Sequence, residues 1–252
     1  MPETNLPIMI RLKYFAALVM LLLSLHMFSQ VTRTLNTAAH CNYLSDEEKQ
    51  MIYEINLVRS QPQQYMNILK PYLKKAEAEL EIYGPGEVRY SVETTYIQKN
   101  GRLSVHKVDT HAYNRYEEEI IALKSLINDL ENLRPLSILQ PDAGIYKAAK
   151  KHGKDQDKHN WELGHYGSDN STPMERIVRF APDMKTGNEN IAGRFPEATE
   201  REIVILLLID SGIKGYGHRY NLLNPQWTHV ACYSGGLHNG MYRWLQEFGE
   251  IR

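Results

Sequence analysis

Gly217-His218-Arg219-Tyr220-Asn221-Leu222-Leu223-Asn224-Pro225 is the stretch on which the reading turns, and Gly187-Asn188-Glu189-Asn190-Ile191-Ala192 is its nearest companion. A glycine directly before His218 lets the backbone turn sharply and brings an imidazole to a surface. The same device recurs in Gly164-His165-Tyr166-Gly167, which leads into Ser168-Asp169-Asn170-Ser171-Thr172-Pro173 and the helical start at Met174. Asp210 closes the apolar segment 203–209 shortly before His218. Imidazole binds metals or moves protons near neutral pH, and carboxylates orient it. His165, Glu189, Asp210 and His218 are therefore the candidate cleft residues, with His165 and His218 the candidate metal ligands. Zinc with an open coordination position is one chemistry such a set supports, and general acid–base work is another. Each histidine alone reads equally well as a solvated or hydrogen-bonded loop residue, because no local metal motif joins the two.

Outward from these boxes, the pattern is helical first and strand-like last. Ser45-Asp46-Glu47-Glu48 has the form of a capping box, and Met51, Ile52, Ile55 and Val58 follow at helical spacing. A second helix is expected from Gln63 to about Tyr83, ended by Gly84-Pro85-Gly86. Residues 88–106 alternate and are rich in Val, Tyr and Thr, with Asn100-Gly101 as a hairpin turn. Helices are expected over 114–133 and 142–159. The C-terminal stretches 228–233 and 241–248 read as strands, with turns at Gly235-Gly236 and Asn239-Gly240; Glu247 reads as a strand-end charge. The expected class is α+β, helices packed around a small antiparallel sheet in an α/β/α sandwich.

Composition narrows the partners. Lys plus Arg is 29 and Asp plus Glu is 30 in 252 residues, so nothing favours a nucleic-acid partner. Arg11 and Lys13 precede the apolar run 14–28, which ends at Ser29-Gln30. That is the form of a secretory signal peptide, so residues 1–29 are expected to be removed, leaving no membrane span and a secreted or periplasmic protein. Residues 30–43 read as a flexible lead-in. Cys41 and Cys232 would meet oxidising conditions there, and pairing and two separate thiols remain equally open.

Order and wording together resemble the CAP superfamily, or SCP domain, of cysteine-rich secretory proteins, antigen 5 and plant pathogenesis-related proteins, and most of all its bacterial secreted branch. Asn56-Leu57-Val58-Arg59 resembles the opening-helix motif. Leu139-Gln140-Pro141-Asp142, with Ala148, Ala149 and His152, resembles the helix that follows. Asn188 to Ala192 resembles the "GENIA" box, and Gly217 to Pro225 the "GHRxNLLNP" box. The resemblance implies a CAP domain over 44–252 with an insertion around 72–116. It also implies a cleft where two histidines and two acids converge, which in some members binds zinc. Asn188 departs from the family glycine, and Asp210 stands where animal and plant members carry a glutamate.

Three functions follow as expectations. The resemblance favours a non-enzymatic binding module for a small ligand, lipids included, or a cell-envelope component. A metal-dependent hydrolase or peptidase is the alternative, although no Gly-x-Ser-x-Gly occurs and neither cysteine adjoins the histidine clusters. A structural role, tying loops together, is the third. The insertion reads either as a cap on the cleft or as a solvated surface addition.

Overall fold

The structure, a computed structural model, describes residues 34–99, 102–160, 164–196 and 198–252. The expected signal peptide and the Asn100-Gly101 turn lie outside the described residues. Helix α1 (Asp46–Ser60) starts as its sequence dictates: Ser45 Oγ accepts from the Glu48 amide at 3.2 Å, and Glu48 accepts from the Ser45 amide at 2.8 Å. Met51, Ile52, Ile55 and Val58 are fully buried along one stripe. Helix α2 (Pro62–Tyr83) follows and ends at Gly84, which adopts a positive φ of 66°.

Strands β1 (Val88–Lys99) and β2 (Arg102–Asn114) form a separate antiparallel hairpin, and helix α3 (Arg115–Asn132) returns along α2. The second half supplies β3 (Gln140–Pro141), α4 (Ala143–Lys158), α5 (Pro173–Phe180), β4 (Met184–Arg194), α6 (Glu200–Ile209), α7 (Gly217–Leu222), β5 (His229–His238) and β6 (Met241–Ile251). Its sheet runs β3-β5-β6-β4, antiparallel except for the two-residue parallel pairing of β3 with β5. Helices α4 and α5 pack against one side of this sheet, while α1 brings Met51 to Gln246 on the other. The architecture is α+β, the expected sandwich. Because both faces are covered, Trp244 to Phe248 are buried without alternation.

Three readings need correction. Residues 34–43 are not a loose lead-in: Leu35 and Ala38 are buried, and Asn56 Nδ2 donates to the Leu35 carbonyl at 3.3 Å. Gly235-Gly236 makes no turn but lies inside β5, where the register slips between Ser234 and Leu237. The chain reverses at Asn239-Gly240, with φ of 50° and 77°. Glu247 is not a strand-end charge; it is fully buried in mid-strand. The cysteines, left open by sequence, are separate thiols, with Cys232 buried.

The glycine of the Gly187 to Ala192 box has a packing reason. A Cβ on Gly187 would stand 2.5 Å from the Phe248 carbonyl oxygen and 2.6 Å from Ile177 Cδ1. Gly187→Ala is expected to lose about 1–3 kcal/mol by overpacking, measurable as a lower midpoint in urea.

Candidate functional site

Strand β4 is one of the two edge strands of the four-stranded sheet, and alternation along it sends neighbouring polar residues to opposite faces. Glu189 points to the α4/α5 side, whereas Asn190 meets Gln246 Oε1 at 3.1 Å and the His218 carbonyl at 3.2 Å on the other. One strand thereby carries contacts to both histidine loops.

On the first side, His165 Nδ1 is 3.0 Å from Glu189 Oε1. The other carboxylate oxygen of Glu189 accepts from Arg176 Nη2 at 2.9 Å. Arg176 Nη1 in turn donates to the carbonyls of His165 (3.0 Å) and Ser171 (2.8 Å), so one guanidinium fixes both the acid and the loop carrying its histidine. Behind it stands Glu247, the cross-strand partner of Glu189, 4.0 Å from Arg176 Nη2. Neither of its carboxyl oxygens finds a conventional donor among the described residues. Two buried carboxyls thus share one cation. Burial raises the Glu247 pKa well above the ordinary carboxylate value, and the Glu189 charge adds to this, so of the two carboxyls Glu247 is the one that favours its proton. Burial alone would also raise Glu189, but the His165 hydrogen bond and the Arg176 charge outweigh it and hold Glu189 ionised. His152 completes the floor, its Nε2 2.9 Å from the Gly164 carbonyl. Burial lowers its pKa despite Glu189 nearby, so it is a neutral imidazole that seats the turn before His165.

On the second side, Asp210 ends α6 in the left-handed region at φ 54°. Its Oδ1 lies 2.7 Å from His218 Nδ1, and its Oδ2 accepts from the His218 amide at 2.9 Å. Asp210, the departure from the animal and plant pattern, therefore does for His218 what Glu189 does for His165. The link 211–217 passes through Gly212 and Gly215 at φ 78° and 77°. Arg219 locks the loop from beneath, donating to the carbonyls of Leu208 (2.6 Å), Ile209 and Ala122 (both 3.0 Å). Asn188, the other departure, donates to Asn221 Oδ1 at 3.0 Å and ties β4 to α7.

His165, Glu189 and His218 line one cleft of about 750 Å³, with Asn188, Tyr166 and Tyr220 among its walls. The inserted hairpin forms a further wall through Glu93, Asp109 and His111, and its Tyr96 ring meets Tyr166 edge-on at a centroid distance of 5.0 Å. The insertion is thus part of the cleft. Asp210 stays behind His218 rather than in this lining, and meets a neighbouring pocket instead. Sequence reasoning missed Arg176, Glu247 and His111. Arg176 carried a faint signal, a cation in the short helix after the His165 loop; His111 carried none.

The donor set fits a metal in a limited way. With Nδ1 of each ring given to an acid, Nε2 is the nitrogen left to meet a cation, and the acids act as orienting partners. Among the described residues no group of three or more His, Cys, Asp or Glu side chains is arranged to hold an ion. Two imidazoles would therefore supply two positions, and solvent or ligand the rest.

Residues 124–248 match the model of the cysteine-rich secretory protein family, CAP. A Bacillus subtilis (strain 168) relative, uncharacterized protein YkwD, is 29% identical over 133 residues, 53% of this chain and 46% of its own length. The chain thus spans about half of that curated relative. A solved structure, that of an outer surface protein from Borrelia burgdorferi, aligns with a TM-score of 0.40 at 20% identity, covering 55% of this chain and 96% of the other. The family match takes in both histidine boxes, β4 and most of β6, and on it residues 124–248 are a CAP-type domain.

Proposed function

We propose that this protein is a secreted or periplasmic binding module, not an enzyme, whose cleft receives a small ligand or a cell-envelope component. In this reading His165 and His218 present Nε2 to the ligand or to a divalent cation such as zinc. The observation that carries it is the pairing of each cleft imidazole with its own buried acid, Glu189 at 3.0 Å and Asp210 at 2.7 Å. Such pairing fixes tautomer and ring orientation, which a solvated loop histidine does not require. Export is supported by the basic flank and apolar run of residues 11–28. Among the described residues no helix is long and apolar enough to cross a membrane.

Calorimetric titration with Zn²⁺ tests the reading. The wild-type protein is expected to bind one ion, with affinity falling at least about tenfold in His165→Ala and in His218→Ala. Equal binding by wild type and both variants would contradict it, as would histidine-dependent turnover of a peptide or ester panel.

A further inference from the structure

The cleft does not end at the histidines. A second pocket of about 410 Å³ adjoins it, and the two share Gly215 and Tyr220 as common walls. Each has the size of a complete ligand site on its own. Tyr220, at the shared ridge, is 66% exposed. The second pocket is walled by Asn128 and Asn132 of α3 together with Asn224, with Leu133, Leu223 and Pro225 between them, so amide groups like those of Asn188 and Asn221 recur along a partly apolar wall.

Most charges along this path are paired within the protein. Asp129 holds Arg219 at 2.8 Å, Asp109 holds Lys107 at 2.7 Å, Glu189 holds Arg176 and Asp210 holds His218. Glu93 and Lys214, which also line the cleft, are of opposite sign, so no field of one sign remains to attract an ionic polymer. Aliphatic side chains line both pockets, Val92 and Ile213 in the first and Leu133, Leu223 and Pro225 in the second, but both are open grooves rather than an enclosed tunnel for an acyl chain. Common to both pockets are asparagine amides and tyrosine rings, set among aliphatic side chains. Tyr216 is itself covered by the Arg219 guanidinium at 3.9 Å, whereas Tyr220 offers an open flat face.

We infer that this groove binds a neutral, linear oligosaccharide, which crosses Tyr220 from the histidine cleft into the pocket at Asn128 and Asn132. The inference rests on the cleft being a binding site and adds its ligand class. Sugar rings suit such a surface because their C–H faces lie on an aromatic ring while their hydroxyls meet amides around it.

Calorimetry or amide chemical-shift titration with N-acetylglucosamine oligomers tests it. The hexamer is expected to bind at least about tenfold more tightly than the dimer, since only the longer chain reaches both pockets. Tyr220→Ala should weaken the hexamer at least about tenfold with the melting temperature unchanged, the side chain being mostly exposed. Asn132→Leu should bring the hexamer down to the affinity of the dimer. Absence of hexamer binding, equal affinity for both lengths, or preferential binding of oleate or of an extended neutral peptide along the same residues would each overturn the inference. If Zn²⁺ still binds through His165 and His218 while the hexamer does not, the ligand class alone is wrong; if both fail, the cleft reading falls with it.

Discussion

Arg176→Ala is expected to lower stability by about 3–5 kcal/mol, because it leaves two fully buried carboxyls without the cation they share. Loss of the guanidinium also frees the carbonyls of His165 and Ser171, so the His165 loop should lose its fixed position along with the acid that orients it. Urea denaturation reads the first effect and Zn²⁺ affinity the second. A fall below about 1 kcal/mol would mean that the buried pair carries no cost when uncompensated, against the geometry. Glu247→Gln separates the partners. Its folded pKa is raised, so the stability linked to Glu247 protonation is present below the ordinary carboxylate value of 4.5 and is lost as pH rises toward the folded pKa. An amide cannot ionise, so Glu247→Gln should match wild type near pH 4 and become relatively more stable from there upward. Glu189 has the opposite sign: its folded pKa is depressed, so its contribution is present above 4.5 and lost as pH falls through the folded pKa. Glu189→Gln should therefore be most damaging at neutral pH.

Arg59→Ala is the second large effect, on the order of 3 kcal/mol. Arg59 is fully buried in α1, and burial brings its pKa down to about 10, which leaves it charged at neutral pH. Its Nη1 donates to the carbonyls of Leu222 and Asn224 at 2.9 Å each, and its Nε to Ser137 at 3.1 Å. The first two acceptors lie at and just beyond the end of α7, the short helix that carries His218, so one cation of the opening helix anchors the end of that helix. Removal should lower both the unfolding midpoint and the Zn²⁺ affinity. Arg59→Lys should recover only part of either, since a single ammonium cannot span the three acceptors in the same fork.

Much of this was legible in the chain itself. The capping box at Ser45 and Glu48, the reversal at Asn239-Gly240 and the helix boundaries follow local rules, and they appear where those rules put them. The glycines beside His165 and His218 mark the turns that carry these imidazoles; both rings and Glu189 line one cleft, whereas Asp210 lies behind His218. The parts that were not legible depend on contacts distant in sequence. Strand β4 reads as a polar loop, because Asn188, Glu189 and Asn190 lack the alternation of a half-buried strand. The partners of Glu189 and Asn190, namely Arg176, Gln246 and Asn221, come from elsewhere and make burial of these two side chains possible. Glu247 looks like an ordinary surface charge until β6 is seen to lie between two covered faces. The hairpin 88–114 is predictable as a hairpin, yet its place as a cleft wall is set by packing, which alternation along a strand does not encode.

The central claim is that two imidazoles share one cleft, each with Nδ1 held by a buried acid and Nε2 left for a ligand. The ¹⁵N side-chain spectrum of the histidines, recorded before and after one equivalent of Zn²⁺, tests this most directly. His165 and His218 should both show the Nδ1–H tautomer, and their Nε2 resonances should move together on addition of the ion. An Nε2–H tautomer at either ring, or a shift confined to one of them, would contradict the account.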